Sequence, residues 1–296
     1  METITFTTTR GTISLGLTGD YILQRATGIG GLGAEMQMQK APFQQGTTFI
    51  RNDFTNRNIV LTIWIKATGL ADLNAKKLEV QNVFNPHRQG TLTYSNETYT
   101  KDITAVSEIS PRFTAPEKKD FYYNQQCVVS LIANNPFWLD QTYTSELMSI
   151  TLPTFSFPLK FQDTIEFSTD GNIRATLTNS GHVETPVLLD FYGPATNPKI
   201  DLEYTDEDTG ETITKYIEVT ETIAADEYLE ISTEFGNVYV KLVDSSGNES
   251  SAFSSINRNS DFFQLPVGDS EISFSTASGT STATLLAQYK NRFIGL

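Results

Sequence analysis

The chain has 296 residues, 39% of them hydrophobic and 19% charged, with 19 Phe and 12 Tyr; this apolar content excludes a disordered polypeptide and fills two domains of common size. Its net charge of −14 repels phosphate backbones and anionic lipid, which argues against nucleic-acid or membrane binding through a basic patch. The lone Cys127 excludes an intramolecular disulfide, and Met1–Phe6 has no leader character, so a soluble protein of a reducing cytoplasm is expected, without membrane insertion.

Along the chain, alternation with a period of two dominates and predicts strands. In the first half these are Thr3–Thr8, Thr12–Leu17, Glu35–Gln39, Ile59–Ile65, Thr91–Tyr94, Tyr99–Val106 and Cys127–Ile132. Ile59, Leu61, Ile63 and Ile65 share one face while Val60, Thr62 and Trp64 share the other, a strand covered on both sides or nearly so. One segment departs from this rule. Leu70, Leu73, Val80 and Phe84 gather on one side of a 3.6-residue period, Asp72 lies in the first turn, and Asn85-Pro86 stops the run. That pattern predicts one amphipathic helix near 70–85, lying on a sheet.

Strand signals pause at Asn134-Asn135-Pro136 and then resume as pairs around turn dipeptides. Thr164–Phe167 faces Ile173–Leu177 across Asp170-Gly171, Leu202–Tyr204 faces Thr212–Val219 across Thr209-Gly210, and Tyr228–Ser232 faces Val238–Val243 across Gly236-Asn237. Many short strands with turns between them predict an antiparallel sandwich. The charge changes at the same place. Residues 1–136 carry 13 Lys+Arg against 11 Asp+Glu, or +2, whereas 137–296 carry 8 against 24, or −16. The expected fold is therefore mainly β: an N-terminal β-sandwich or barrel domain over 1–136 with one helix, then an acidic antiparallel β-sandwich domain over 137–296. The near-neutral first domain suits packing against other protein.

Residues that could carry chemistry form no recognisable site. Gly28-Ile29-Gly30-Gly31-Leu32-Gly33 fits the dinucleotide fingerprint in letters, with Asp53 placed like a ribose-binding acid, yet no apolar strand leads in and no helix leads out. It reads as a flexible loop. His87 and His182 belong to no metal spacing, Cys127 begins an apolar run and reads as a core residue, and no G-x-S-x-G elbow occurs. Asp206-Glu207-Asp208 and Asp244–Glu249 read as solvated hairpin tips, since the first lacks the order of a calcium loop. Asn96-Glu97-Thr98 and Asn248-Glu249-Ser250 have the form of glycosylation sequons without a secretory route. Tyr94, Tyr99, Phe121, Tyr122, Tyr123, Phe137 and Trp138 could form a sugar-stacking platform, but core packing is the simpler expectation. No catalytic residue, cofactor ligand or metal ligand is expected.

The order of features resembles the distal tail protein family of long-tailed (siphovirus) phages. In the first half a glycine-rich loop, Gly28–Gly33, leads to Ala41-Pro42-Phe43-Gln44-Gln45-Gly46, the strand Ile59–Ile65, the helix ending Phe84-Asn85-Pro86, and Thr91–Tyr94. The second half opens with Asn135-Pro136-Phe137-Trp138 and continues through Thr185-Pro186-Val187 and Tyr192-Gly193-Pro194-Ala195-Thr196-Asn197-Pro198. It closes with Phe263–Gly268 and Tyr289–Leu296. The resemblance implies a non-enzymatic structural protein of the virion tail tip, assembled in the bacterial host cytoplasm. It further implies a hexameric ring of this chain, formed by the first domain, with the second domain outward. Its implied partners are the tail tube protein and the tail-tip proteins, a tail-associated lysin or receptor-binding proteins among them. Two other readings stay open: a carbohydrate-binding β-sandwich module, which the sandwich and the aromatics favour, and a tail-borne glycosidase using Asp or Glu, for which the sequence gives no positive sign.

Overall fold

The computed structural model describes residues 2–114, 124–149, 173–278 and 282–296. The chain forms two compact units, Met1–Gln141 with Arg292–Leu296, and Thr142–Asn291. The last five residues, expected in the second domain, thus belong to the first unit. On these bounds the first unit carries 14 Lys+Arg against 12 Asp+Glu, or +2, and the second 7 against 23, or −16.

The first unit is built on an antiparallel sheet ordered Gly11–Leu15, Thr3–Thr8, Gln89–Ser95, Thr100–Ser107, Asn124–Ala133, Arg57–Lys66 and Tyr21–Thr27. A parallel bridge from Gly16 to Ile22 links the two ends of that path, so the sheet curls back on itself as a barrel does. Period-2 alternation sets the faces. Ile59, Leu61, Ile63 and Ile65 are fully buried, while Val60, Thr62 and Trp64 are half-buried. The strand Asn124–Ala133 pairs with Arg57–Lys66 along its whole length and adds Cys127, Val129 and Leu131 to the same core. Tyr21–Thr27 escapes sequence reading because a bulge between Leu23 and Arg25 shifts its register and breaks the alternation.

Among the described residues there is one α-helix, Leu70–Val83. Leu73, Val80 and Val83 are buried against the sheet, and Phe84, just past the end, stacks on Phe6 at 4.8 Å. Leu70 differs from expectation, being 51% exposed at the N-terminal turn, before the buried stripe begins. Asp72 accepts hydrogen bonds from the Thr68 N–H (2.8 Å) and from Lys76 one turn on (3.1 Å), which holds its carboxyl below the usual range and tightens the helix start.

Arg57 sets the end of the barrel that carries the glycine-rich loop. It is 2% exposed and has carbonyl oxygens rather than a carboxylate around it. Its Nε donates to Pro136 O (2.7 Å), Nη1 to Gly28 O (2.7 Å) and Ile29 O (3.1 Å), and Nη2 to Ile294 O. Trp138 packs beside it and donates from Nε1 to Ile29 O at 3.0 Å. The loop expected to be flexible is therefore pinned. Gly28 has φ +83°, and a Cβ there would lie 1.9 Å from the Asn58 carbonyl oxygen, so only glycine fits.

The second unit is a sandwich. One sheet runs Thr144–Ser149, Thr284–Tyr289, Val187–Tyr192, Tyr228–Glu234, Asn237–Val243 and Glu249–Ser251; the other runs Ile173–Asn179, Gly268–Ser275, Lys199–Thr205 and Thr212–Glu218. Leu189, Phe191, Ile231 and Leu285 from the first meet Leu177, Leu202, Ile272 and Phe274 from the second, with Phe191 edge-on to Phe274 at 5.2 Å. The turns at Gly210 (φ +69°) and Gly236 (φ +80°) close the expected hairpins. Thr164–Phe167 and the Asp170-Gly171 turn lie outside the described residues, and Ile173–Asn179 pairs with Gly268–Ser275. The protein is mainly β throughout.

Candidate functional site

The described residues singled out for chemistry are placed as follows. Cys127 is fully buried, and burial pushes its thiol up to about 12, which leaves it without thiolate character. His87 and His182 are exposed in separate units. Among the described residues no three His, Cys, Asp or Glu side chains converge as metal ligands would. Asp206 accepts the backbone N–H groups of Thr209 (2.8 Å) and Asp208 (3.1 Å), and Asp244 accepts those of Ser246 and Asn248. Those bonds hold both carboxyls below the usual range and account for the acidic clusters as turn-formers. Of the aromatic residues considered for a platform, Trp138 is wholly buried, Tyr94 packs beside it at 6.4 Å, and Tyr99 lies 6.1 Å from Tyr94. Phe137 meets Phe54 edge-on at 5.6 Å. Phe121, Tyr122 and Tyr123 lie outside the described residues.

What the first unit offers instead is a surface. Ala34–Gln39 pairs with Thr48–Phe54 as a two-stranded antiparallel sheet separate from the barrel, and every residue of both strands is exposed. Alternation puts Met36, Met38, Phe49 and Phe54 on one face and Glu35, Gln37, Arg51 and Asp53 on the other. On the polar face Arg51 pairs with Asp53 at 3.1 Å and Gln37 donates to Asp53 at 3.0 Å. On the apolar face Phe54 meets Phe137, while Met36, Met38 and Phe49 are each more than half exposed. At the tip Phe43 is fully exposed with φ +65°, a costly backbone region for a residue with a Cβ. An isolated two-stranded hairpin is marginal in water, and a contiguous exposed apolar face marks a place where protein binds protein. Sequence reading found only the Glu35–Gln39 half; Thr48–Phe54 mixes Arg, Asn and Asp with its aromatics and carries no clean alternation of its own.

Two compact β units, one with a single helix on a curled sheet and one a sandwich, agree with sequence matches that divide the chain in the same order. Residues 9–133 match the phage tail protein RIFT-related domain, and residues 180–293 match the C-terminal domain of the siphovirus-type tail component. The chain belongs to the distal tail protein family of long-tailed phages. As a distal tail protein it is a component of the phage tail. Among solved structures it is similar to the Dit protein of phage SPP1, described as a paradigm of the hub of the adsorption apparatus in phages infecting Gram-positive hosts. That likeness has a TM-score of 0.64 at 11% identity over 98% of this chain and 99% of that one. A chain of the phage p2 baseplate in its activated conformation with strontium matches with a TM-score of 0.54, 11% identity and full coverage of both. At such identity these likenesses speak for the fold. No curated protein sequence matches this distal tail protein.

Proposed function

We propose that this distal tail protein acts mechanically, as a head-to-tail ring of six copies that joins the tail tube to the tail-tip or baseplate proteins. The exposed apolar face of the hairpin, Met36, Met38, Phe49 and Phe54, carries the reading, because in a ring that face is covered by the neighbouring copy. Head-to-tail closure needs two different surfaces on each subunit, and a protruding hairpin beside a barrel provides them. The charges support the division of labour. Six second units at −16 each repel when crowded, unless separated by more than a Debye length of about 8 Å at physiological salt, so they belong on the outside. The near-neutral first unit meets no such penalty.

In this reading residues 1–136 hold most of the ring-forming surface, while the acidic sandwich faces outward to dock a tail-associated lysin or receptor-binding proteins. The tail tube protein sits on the opposite side. The protein is synthesised and assembled in the host cytoplasm, uses no cofactor or metal, and catalyses nothing. A fragment ending at residue 136 would be a poor test, since it lacks Trp138 and the Ile294 carbonyl that Arg57 binds. The full chain with Met36→Glu and Phe49→Glu is the better one. Light scattering and micrographs should show rings for the parent and monomers for the variant, whose circular dichroism should remain that of the folded parent. Rings that survive both charges would overturn the reading.

A further inference from the structure

Along Val187–Tyr192 the side chains of Val187, Leu189 and Phe191 enter the core, so Asp190 and Tyr192 face the other side of the six-stranded sheet. The register sets Asp190 directly opposite Glu230 and Tyr192 opposite Tyr228. The two tyrosine rings lie 5.1 Å apart at 31°. On the next strand Tyr239 donates to Glu230 Oε1 at 2.6 Å. Two carboxylates thus stand side by side within a frame of three tyrosines, and like charges directly opposite one another in a sheet are destabilising.

Asp190 is only 9% exposed, and its Oδ1 has no hydrogen-bond partner. Its other cross-strand neighbour is Leu286, which offers nothing polar. The cation placed opposite Glu230 by register, Lys241, feels the Glu230 charge, but its ion pair is with Glu249, at 2.7 Å, and its Nζ lies 4.5 Å from the Tyr239 ring. A nearly buried, unpaired carboxylate beside a second one costs free energy that a bound positive charge would return.

We infer that this face is a binding site for a cationic side chain, arginine or lysine, of a partner protein, with Asp190 and Glu230 as acceptors and Tyr192, Tyr228 and Tyr239 as the ring frame. Carboxylates bind a guanidinium or ammonium by charge-assisted hydrogen bonds, and tyrosine faces attract the same groups. A sugar hydroxyl could donate to Asp190 as well, but it would leave the repulsion between the two carboxylates in place. The −16 of the second unit also draws basic segments toward it. The inference deepens the docking role proposed for the second unit.

Saturation-transfer NMR on the full-length protein tests it, with acetyl-arginine amide as probe, and acetyl-citrulline amide and N-acetylglucosamine as neutral comparisons. The arginine probe should bind, citrulline about tenfold more weakly, and Asp190→Asn or Glu230→Gln should each weaken the arginine probe by about tenfold, a loss of ~1.4 kcal/mol. No binding, equal binding of arginine and citrulline, indifference to both substitutions, or preference for the sugar would each overturn it. Light scattering on the same samples keeps the two proposals apart. Monomeric parent protein that still binds arginine counts against the ring alone, and intact rings that ignore arginine count against the site alone.

Discussion

Arg57→Met should unfold the first unit early while leaving the second unit's stability unchanged. The guanidinium donates to five carbonyl groups from three distant segments, at Gly28, Ile29, Gly30, Pro136 and Ile294. Methionine fills similar volume but leaves those oxygens without their donor in a place water does not reach. Breaking a buried charged network by removing one partner costs about 3–5 kcal/mol. Because the loss of one buried cation returns part of that through cheaper desolvation, about 4 kcal/mol is expected. Burial already lowers the Arg57 pKa, which shows the direction of the desolvation cost. With an m-value of about 2 kcal/mol per molar urea, the midpoint should fall by about 2 M. Both tryptophans, Trp64 and Trp138, belong to the first unit. Fluorescence excited at tryptophan therefore follows that unit alone, while far-ultraviolet circular dichroism follows both. A midpoint shift under about 0.5 M would refute the clamp.

Burial and the neighbouring Glu230 raise the Asp190 pKa from 3.8 to about 6, so the stability that its protonation contributes is complete below about pH 4 and is lost as pH rises through 6. The second unit should then be about 1.5 kcal/mol more stable at pH 5 than at pH 8, and Asp190→Asn should abolish that slope in urea titrations followed by circular dichroism. Gly28→Ala should cost more than about 3 kcal/mol, as its Cβ meets the Asn58 carbonyl, whereas Gly210→Ala, with open space and only a φ of +69° against it, should cost about 1 kcal/mol. Equal costs in melting experiments would contradict the close approach at Gly28. Deleting residues 292–296 should lower the tryptophan-reported midpoint by at least about 1 M, although the deleted residues follow the second unit in sequence.

Several elements were legible because neighbours in the chain decide them. The period of two wrote the strand through Ile59–Ile65, and the period of 3.6 with Asn85-Pro86 wrote the helix to within two residues of its end. Gly210 and Gly236 announced their turns, since the backbone there needs positive φ. The acidic tips followed from Asp side chains that bond their own backbone two to four residues on. The family was legible in the same way, as an order of such local signals.

The sites of interest were not. Arg57 stands at the head of an apolar strand, where a charge reads as a solvated end, and only folding brings it to Gly28, Pro136 and Ile294, 29, 79 and 237 residues away. Asp190 sits among Leu188, Leu189 and Phe191 and gains its meaning from Glu230, 40 positions on, through strand register. The hairpin's apolar face exists only once Ala34–Gln39 and Thr48–Phe54 align with their bulge. The sequence by itself determined which residues alternate, turn or coil, because those choices depend on sterics and hydrogen bonds within a few residues. Tertiary structure alone decided which segments share a carbonyl, a carboxylate pair or an exposed face, because pairing register is set by the whole core and not by any one strand.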